Sequence, residues 1–470
     1  MGLDFRNPIL MTDSYKLAHW MQYPPKTDGV YSYFEARTGA KYNHTLFFGL
    51  QYLLQEYLAG QVFDEYDMDD AERLITAHLG DAKLFNRAGW QHILDQHNGY
   101  LPLRIKAVPE GLVVPTNNVL MTVENTDPEV PWLTNYVETL LTHVWYPSTV
   151  ATVSWHVKQD IKRYLKMTSS EGAIPDFMLH DFGYRGATGE EAAAIGGLAH
   201  LVNFKGTDTL AAMQLAVEHY GADYSDLAFS VPATEHSVMT AEGRDGELDV
   251  LDRLIDTYPT GILSVVADSY NIYDFVKAVC ARSDVIKARD GVLVVRPDST
   301  TDRHPTPQGL TEWIVNELAH SFGSTVVRGD EWQDFRTLDP HVRVLWGDGI
   351  GPEGIEAILH TLKVGGWSAE NMVFGMGGGL LQKVNRDTQR FAFKSSAQKL
   401  AGEPWRDIRK EPLDASKTSK GGRLQLINNG GTLQTVRDQG LPDDLLQTVF
   451  ENGEVVAPTT LAEVRERADI

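Results

Sequence analysis

The stretch PDFMLHDFGYRG, residues 175–186, joins a short apolar run to a turn that carries several functional side chains. The apolar run at 177–179 predicts a short buried strand. Thr188 and Glu191 follow with the spacing of a capping box, which predicts the start of a helix after the turn. A few small residues would be enough to connect a strand to a helix. This turn instead carries an imidazole, a carboxylate, two aromatic rings and a guanidinium, which indicates that it lines a site.

The same unit recurs along the chain up to about residue 380, as a β-branched or aromatic run, a polar or glycine-containing turn, and a helical pattern. Further runs of this kind are AFSV (228–231), ILSVV (262–266), VLVV (292–295), VRVLW (342–346) and MVF (372–374). Strands that alternate with helices predict a parallel sheet, and this many in series predict closure into an α/β barrel. The turns would then open together on the carboxyl-terminal face of the barrel, where active sites are built.

The two ends of the chain have a different pattern. Antiparallel strands are predicted from GVYSYFEAR (29–37), LPLRIKAVPEGLVVP (101–115) and NVLMTVENTD (118–127), with a helix from LFFGLQYLLQEYLAG (46–60). Strands are predicted again in RFAFKSSAQKL (390–400) and around the turn NNGG in GRLQLINNGGTLQTV (422–436). We therefore expect one α+β domain from residues 1–150 plus 390–470, beside a catalytic α/β barrel at 151–389.

Composition excludes several classes of protein. The 64 acidic and 42 basic side chains give the 470-residue chain a net charge of −22, which disfavours nucleic acid and anionic membranes as partners. The single cysteine, Cys280, cannot form an internal disulfide, which is typical of a reducing compartment. No apolar stretch is long enough to predict a membrane span or a signal peptide. These features predict a cytoplasmic protein.

Four residues in the first turns could bind or react with a ligand. Phe182 offers a flat apolar surface, although core packing would also explain it, and Arg185 could bind an anion. Asp208 follows a glycine and is either a ligand-binding carboxylate or a helix N-cap. His236 follows a predicted strand; a lone histidine is more often structural, yet it can move a proton or attack phosphorus.

Two carboxylates end neighbouring predicted strands. Asp268 follows ILSVV, and Asp298 follows VLVV beside Arg296. Bringing two carboxylates together costs free energy unless a cation or hydroxyl groups bind between them. Mg²⁺ that also carries ligand phosphates would satisfy both groups.

A triple glycine ends the last predicted strand. Gly377, Gly378 and Gly379 would let a phosphate approach the backbone N–H groups. Arg386 and Lys394 follow, and their position after the glycines favours an anion-binding role over that of solvated surface charges. Together, the turns predict a barrel enzyme that binds a phosphorylated sugar and a flat heterocycle.

One other glycine motif must be weighed, because its pattern matches that of a dinucleotide-binding site. GIGPEG (349–354) matches the G-x-G-x-x-G pattern of dinucleotide-binding folds. Asp348 precedes it and would place a negative charge where a pyrophosphate approaches, which argues against that interpretation.

A series of linked motifs, spread over residues 8 to about 425, closely resembles the nicotinamide phosphoribosyltransferase family. The motifs are TDSYKLAHWMQYPP, YSYFEAR, HDFGYRG, AHLVNFKGTDT, SVPATEHS, DSYNIYDF, VVRPDS, GDG and FGMGGGLLQKVNRD. The resemblance implies a type II phosphoribosyltransferase fold, an irregular α/β barrel with a second domain. It also implies a homodimer with shared active sites that uses Mg²⁺. Its reaction would convert nicotinamide and 5-phosphoribosyl 1-pyrophosphate to nicotinamide mononucleotide and pyrophosphate, coupled to ATP hydrolysis.

The resemblance also implies roles for residues around the base. Phe182 would stack on one face of nicotinamide, and Tyr15 of the partner subunit on the other. Asp208 would face the carboxamide nitrogen, with Arg185 and Ser264 along the same slot.

Further implied roles concern the ribose, the phosphates and ATP. Asp298 and Asp268, with Arg296, would contact the ribose and Mg²⁺–pyrophosphate, and Gly347 and Asp348 would contact the ribose hydroxyls. The 5′-phosphate would be bound by Gly377, Gly378, Arg386 and Lys394 with the partner's Arg37. His236 would be the residue phosphorylated during ATP turnover.

Two alternatives stay open at this point. A nicotinate phosphoribosyltransferase would have the same fold, but Asp208 would repel the carboxylate of nicotinate. A protein that binds a partner without catalysis is the other alternative, against which the intact pocket residues argue.

Overall fold

The computed structural model of the chain describes residues 7–170, 172–330, 333–410 and 419–469. The chain divides into two compact units. Unit 1 comprises Met1–Thr152, Ala216–Ala222 and Asn385–Ile470, and unit 2 comprises Val153–Leu215 and Asp223–Val384.

The secondary structure elements alternate along most of the chain. The strands, in chain order, are β1 Thr27–Ala36, β2 His44–Leu46, β3 Leu103–Ala107, β4 Val113–Pro115, β5 Val119–Asn125, β6 Leu179–Asp181, β7 Gly206–Thr207, β8 Thr260–Val266, β9 Asp290–Arg296, β10 Ser324–Arg328, β11 Asp334–Leu338, β12 Val342–Trp346, β13 Met372–Met376, β14 Phe391–Leu400, β15 Arg406–Asp407, β16 Leu424–Asn429, β17 Thr432–Arg437, β18 Gln447–Glu451 and β19 Glu454–Val455. The helices are α1 Leu50–Tyr57, α2 Glu65–Leu79, α3 Arg87–His97, α4 Leu133–Tyr136, α5 Glu138–Thr142, α6 Trp145–Thr168, α7 Glu190–Leu201, α8 Leu210–Tyr220, α9 Tyr224–Leu227, α10 His236–Met239, α11 Gly243–Thr257, α12 Ile272–Ala281, α13 Ser283–Lys287, α14 Pro307–Phe322, α15 Pro352–Val364, α16 Gly378–Leu381 and α17 Leu461–Ala468.

Unit 2 is built around a six-stranded sheet in the order β7-β6-β13-β12-β9-β8. Every adjacent pair in this sheet is parallel. The central strands are rich in buried apolar residues, as is typical of parallel sheets that are covered on both faces. The fold class is therefore α/β, as predicted.

Both edges of this sheet contact one extended segment, residues 229–233. Phe229 bridges to Gly206 at the β7 edge, and Ala233 bridges to Ser264 at the β8 edge. The sheet therefore curls into an irregular barrel, and the predicted strand at 228–231 is replaced by isolated bridges. Pro232, which has no backbone N–H, interrupts a regular ladder there, although its carbonyl accepts from Ser264 N–H at 3.0 Å.

Two local predictions around the opening motif differ from the structure. The predicted strand at 177–179 is shifted, since β6 continues through His180 and Asp181 by pairing with β7 and β13. The predicted capping box is wrong: Gly189 is the N-cap of α7, without a side-chain cap, so Thr188 lies outside the helix. The turn therefore begins one residue before Gly183, at Phe182.

Unit 1 contains a seven-stranded antiparallel sheet that both ends of the chain build, in the order β15-β14-β1-β5-β3-β18-β19. Strand β1 lies between β5 and β14. The segment Ala216–Ala222 belongs to this unit, and its Tyr220 hydroxyl donates to the Glu110 carboxylate at 2.9 Å. That contact explains why the end of α8 packs with residues distant in sequence.

None of the helices in the described ranges combines the length and apolar character that crossing a membrane requires.

Candidate active site

A pocket of about 420 Å³ opens in unit 2 at the carboxyl ends of four adjacent strands. The turns after β6, β9, β12 and β13 line it. The lining residues are Phe182, Gly183, Arg185, Gly186, Arg296, Asp298, Gly347, Gly349, Ile350, Gly377, Gly378, Gly379, Gln382 and Lys383. Four of the six sequence-predicted turns therefore meet in one cavity at the end of the barrel where ligands bind. Among the described residues, the lining does not include the predicted site residues Asp208, His236, Ser264, Asp268 and Asp348.

The Phe182 ring lies in a seat formed by two glycines. A Cβ atom at Gly375 would lie 2.0 Å from Phe182 Cε2, and one at Gly347 would lie 3.2 Å from the same atom. The Phe182 backbone N–H donates to the Met376 carbonyl at 3.1 Å, which fixes the start of the turn. Because no side chain fits at Gly375, the ring lies against bare backbone and its other surface can contact a flat ligand.

A buried carboxylate ties this turn to the next one. Asp181 accepts hydrogen bonds from Gly183 N–H and the Thr209 hydroxyl, each at 2.7 Å, and its carbonyl accepts from Asp208 N–H at 3.0 Å. Burial, with a contribution from the Asp208 charge, raises the pKa of Asp181 to about 6, although the two hydrogen bonds oppose the shift. The sequence indicated this carboxylate only as one of the groups of the turn, whereas in the structure the Asp181 side chain positions the aromatic turn and the turn of Asp208.

The polar groups predicted to contact a base come from three segments, namely the turns after β6 and β7 and the strand β8. Asp208 is exposed, and its carboxylate accepts from the Ser230 hydroxyl at 2.6 Å. The Ser264 hydroxyl is buried and has no hydrogen-bond partner within the described residues. Arg185 is exposed at the pocket. A buried hydroxyl without a partner costs free energy unless a ligand or water satisfies it.

Besides Arg185, two cationic groups line the pocket, Arg296 at the end of β9 and Lys383 after β13. Burial lowers the pKa of Arg296, whereas the nearby charges of Asp298, Asp208 and Asp268 oppose this shift. Arg296 Nη2 donates to the Thr234 carbonyl at 2.7 Å. Lys383 follows the triple glycine and was not predicted as a site residue from the sequence. A lysine five residues after Gly378 was the available signal.

Carboxylates gather beside Arg296. Burial raises the pKa of Asp348, and the charges of Asp298 and Asp268 raise it further. Asp268 Oδ1 lies 3.1 Å from His236 Nε2, and its other oxygen accepts from the Ser299 hydroxyl. The His236 side chain is 49% exposed, so the imidazole is oriented by Asp268 and still open to solvent.

The remaining predicted residues belong to unit 1. Tyr15 is 62% exposed, and Arg386 is exposed. Arg37 and Lys394 line a second cleft of about 580 Å³ with Arg409 and Lys410. This cleft is rich in positive charge and suits an anionic ligand.

Lys394 in this cleft is held by an acidic partner. Its Nζ donates to the buried Glu35 carboxylate at 2.8 Å, and Lys420 pairs with the other oxygen. The pocket in unit 2 is not lined by Arg386 or Lys394, as far as the described residues show.

Two family models match this chain. Residues 7–105 match the nicotinamide phosphoribosyltransferase N-terminal domain, and residues 177–454 match the nicotinate phosphoribosyltransferase family. Among similar proteins, a nicotinamide phosphoribosyltransferase from Xanthomonas campestris is 46% identical, with 98% of each chain covered. A protein with the same name from Acinetobacter baylyi is 34% identical, over 99% of this chain and 98% of the relative.

Solved structures resemble the fold at low sequence identity. A nicotinate-nucleotide pyrophosphorylase from Pyrococcus furiosus has a TM-score of 0.63 at 16% identity, covering 100% of this chain and 96% of the other. Human nicotinic acid phosphoribosyltransferase has a TM-score of 0.56 at 17% identity, covering 98% of this chain and 93% of the other. These likenesses agree with the predicted type II phosphoribosyltransferase fold. The sequence matches, which cover nearly the whole chain, show that the chain belongs to the family of nicotinate and nicotinamide phosphoribosyltransferases, which are pentosyltransferases.

Proposed function

We propose that this chain transfers the phosphoribosyl group of 5-phosphoribosyl 1-pyrophosphate to nicotinamide, and so forms nicotinamide mononucleotide and pyrophosphate for NAD salvage. The observation that carries the proposal is the pocket of about 420 Å³ in which an aromatic ring, two guanidinium groups, a carboxylate and bare glycine backbone converge. The relatives that match over nearly the whole chain carry the name of this activity.

The base end of the pocket suits a neutral aromatic amide. The Phe182 ring, seated on Gly375, offers a stacking surface. The Asp208 carboxylate would accept a hydrogen bond from the carboxamide NH₂, and the buried Ser264 hydroxyl, which has no partner in the described part of the chain, is a further candidate contact. Arg185 lines the pocket beside Phe182.

The sugar and phosphate end combines glycines with positive charge. Gly377 and Gly378 leave the backbone accessible to the 5′-phosphate, and Lys383 supplies a cation beside them. Gly347 and Asp348 would contact the ribose hydroxyls. We also propose Arg386 and Lys394 as ligands of the 5′-phosphate.

The reaction itself needs positioning more than a protein nucleophile. The base nitrogen forms a bond to the anomeric carbon as the bond from that carbon to pyrophosphate breaks, through an oxocarbenium-like state. Stacking on Phe182 holds the base in line, and Arg296 with Asp298 holds the ribose and the leaving group. Orienting the two reactants is what lowers the barrier.

Mg²⁺ fits this set of oxygen ligands. Asp298 and Asp268 are close enough to Asp348 for their charges to add to the effect of burial and raise the pKa of Asp348. Carboxylates together with substrate phosphates and water are the ligands that Mg²⁺ uses. When bound with pyrophosphate, Mg²⁺ would neutralise the charge that develops on the leaving oxygens.

His236 is the candidate for ATP coupling. Its Nε2 faces Asp268 Oδ1 at 3.1 Å, which leaves Nδ1 to attack the γ-phosphorus of ATP, so that an N–P bond forms as ADP leaves. A carboxylate partner orients the imidazole and stabilises its positive charge. Hydrolysis of the phosphohistidine would complete ATP turnover.

The active unit in this proposal is a homodimer in the cytoplasm. Tyr15 is 62% exposed and, from the partner subunit, would complete the stack on the base. The partner's Arg37 would add to the phosphate site. The single cysteine supports a reducing compartment.

A direct assay tests the activity. Purified full-length chain is incubated with Mg²⁺, 5-phosphoribosyl 1-pyrophosphate and either nicotinamide or nicotinate, with and without ATP, and each mononucleotide is quantified by chromatography. We expect nicotinamide mononucleotide, more of it with ATP, and its loss in Phe182→Ala but not in Tyr66→Ala, which changes an exposed aromatic residue of α2. Product from nicotinate alone would favour the nicotinate alternative, and no product from either base would refute the proposal.

A further inference from the structure

A cluster of two imidazoles and one carboxylate lies in unit 1, in residues that the proposed reaction does not use. His92 Nε2 and His97 Nε2 lie 2.8 and 2.7 Å from the same oxygen, Asp127 Oδ2. One ligand atom from each of the three residues lies within 4.8 Å of the other two. We propose that His92, His97 and Asp127 bind one divalent transition-metal ion of the zinc type.

Local structure holds the three groups in place. Helix α3 is anchored by buried Trp90 and Ile93 and ends at His97, where Asn98 adopts φ 52° and turns the chain. Residues five apart on a helix point about 140° away from each other, so the shared direction of the two rings depends on His97 being the last residue. Asp127 lies two residues after β5.

The carboxylate offers one oxygen to the cluster. Asp127 Oδ1 accepts from Glu129 N–H at 2.9 Å, and the Asp127 carbonyl accepts from the Asn125 amide at 2.8 Å. Oδ2 is therefore the oxygen available for a metal, as a monodentate ligand.

The ligand set indicates which metal fits. Two imidazole nitrogens and one carboxylate oxygen are the ligands that Zn²⁺ takes in three-ligand sites, with water in the fourth position. Tetrahedral ligands at about 2.0–2.1 Å from the ion lie roughly 3.4 Å apart. The present nitrogen–oxygen distances of 2.7 and 2.8 Å would have to widen by roughly 0.6 Å, which side-chain torsions can supply.

The site is also accessible. The side chains of His92, His97 and Asp127 are 30%, 28% and 14% exposed, so an ion can enter and keep a water ligand. Binding would replace both imidazole N–H···O hydrogen bonds, so that each Nε2 lone pair faces the ion instead of a proton. Zinc would thereby link the end of α3 to the end of β5.

Calorimetric titration of the chelator-treated full-length chain with Zn²⁺ measures binding. We expect one high-affinity ion per chain and at least about a tenfold loss of affinity in His97→Ala and in Asp127→Asn. His78→Ala is the matched control, because it removes an exposed imidazole from α2 in the same unit. Unchanged affinity in both site variants would overturn the proposal, since the ion would then bind elsewhere.

A second measurement uses the unmodified sequence and so does not depend on how a variant folds. Diethyl pyrocarbonate acylates accessible imidazoles, and mass spectrometry locates the modified histidines. Zn²⁺ should slow modification of His92 and His97 at least about tenfold while leaving His78 unchanged. Equal rates with and without Zn²⁺ at both residues would show a hydrogen-bonded cluster without a metal and would overturn the proposal.

Discussion

Replacing Asp181 by asparagine should change the pH dependence of folding stability in a predictable direction. The carboxylate is buried, and its pKa is raised from 3.8 to about 6, chiefly by burial. The folded state therefore binds the Asp181 proton more tightly than the unfolded state does. The contribution of protonated Asp181 to the free energy of unfolding is therefore fully present below pH 3.8, and it is lost as the pH rises through about 6.

The magnitude follows from the shift in pKa. A difference of about two pKa units corresponds to about 3 kcal/mol between the fully protonated and fully ionised limits. About 1.4 kcal/mol of this falls between pH 5 and pH 8. Asparagine does not titrate, so the free energy of unfolding of Asp181→Asn minus that of the unmodified chain should rise by about 1.4 kcal/mol over this range.

The assay must follow unit 2, because two compact units need not unfold together. Pulse proteolysis in urea, with mass spectrometry of the peptides from 153–215 and 223–384, reports the folded fraction of that unit. Asp256→Asn, which neutralises an exposed carboxylate of α11, is the control and should show no such trend. A difference between Asp181→Asn and the unmodified chain that stays constant from pH 5 to pH 8 would refute the assigned burial of the charge.

Three further predictions concern catalysis. Asp208→Asn should raise kcat/KM for nicotinate relative to nicotinamide by at least about tenfold, because like charges about 4 Å apart cost roughly 1 to 4 kcal/mol; an unchanged ratio in steady-state assays would remove Asp208 from base selection. His236→Ala should abolish stimulation by ATP while basal synthesis continues, and acid-labile label from the γ-phosphate that persists in this variant would contradict the assignment. Mixed Tyr15→Ala and Asp298→Ala chains, each inactive alone, should regain activity through hybrid sites; no recovery after subunit exchange, verified by mass spectrometry, would argue against a shared site.

The barrel strands could be predicted where side-chain patterns carry the information. Strand β12 has the predicted bounds, 342–346, because its apolar run is flanked by a glycine and by polar residues. Strand β7, Gly206–Thr207, has no apolar run and is defined by its pairing with His180 and Asp181 and by a bridge to Phe229. Contacts of this kind are not encoded in local periodicity.

The pocket could be predicted in part for the same reason. Phe182, Arg296 and Asp298 were predicted because turns after parallel strands converge, and the structure brings them to one pocket. Asp181 was predicted only as one of the groups that line the turn, and its buried, positioning role could not be predicted because strand pairing draws it into the interior. The cluster at His92, His97 and Asp127 was missed because only tertiary packing brings Asp127 to the two histidines of α3.

The position of β1 in its sheet has a consequence for how the protein is made. Val30 in β1 pairs with Gln398 in β14, so one edge of β1 waits for a partner synthesised more than 350 residues later. At about 5–20 residues per second, translation of that interval takes roughly 20–70 s. An unpaired strand edge is a template for association with other chains. We therefore expect the yield of folded protein to depend on how well the nascent chain is protected during this delay, for example by a chaperone.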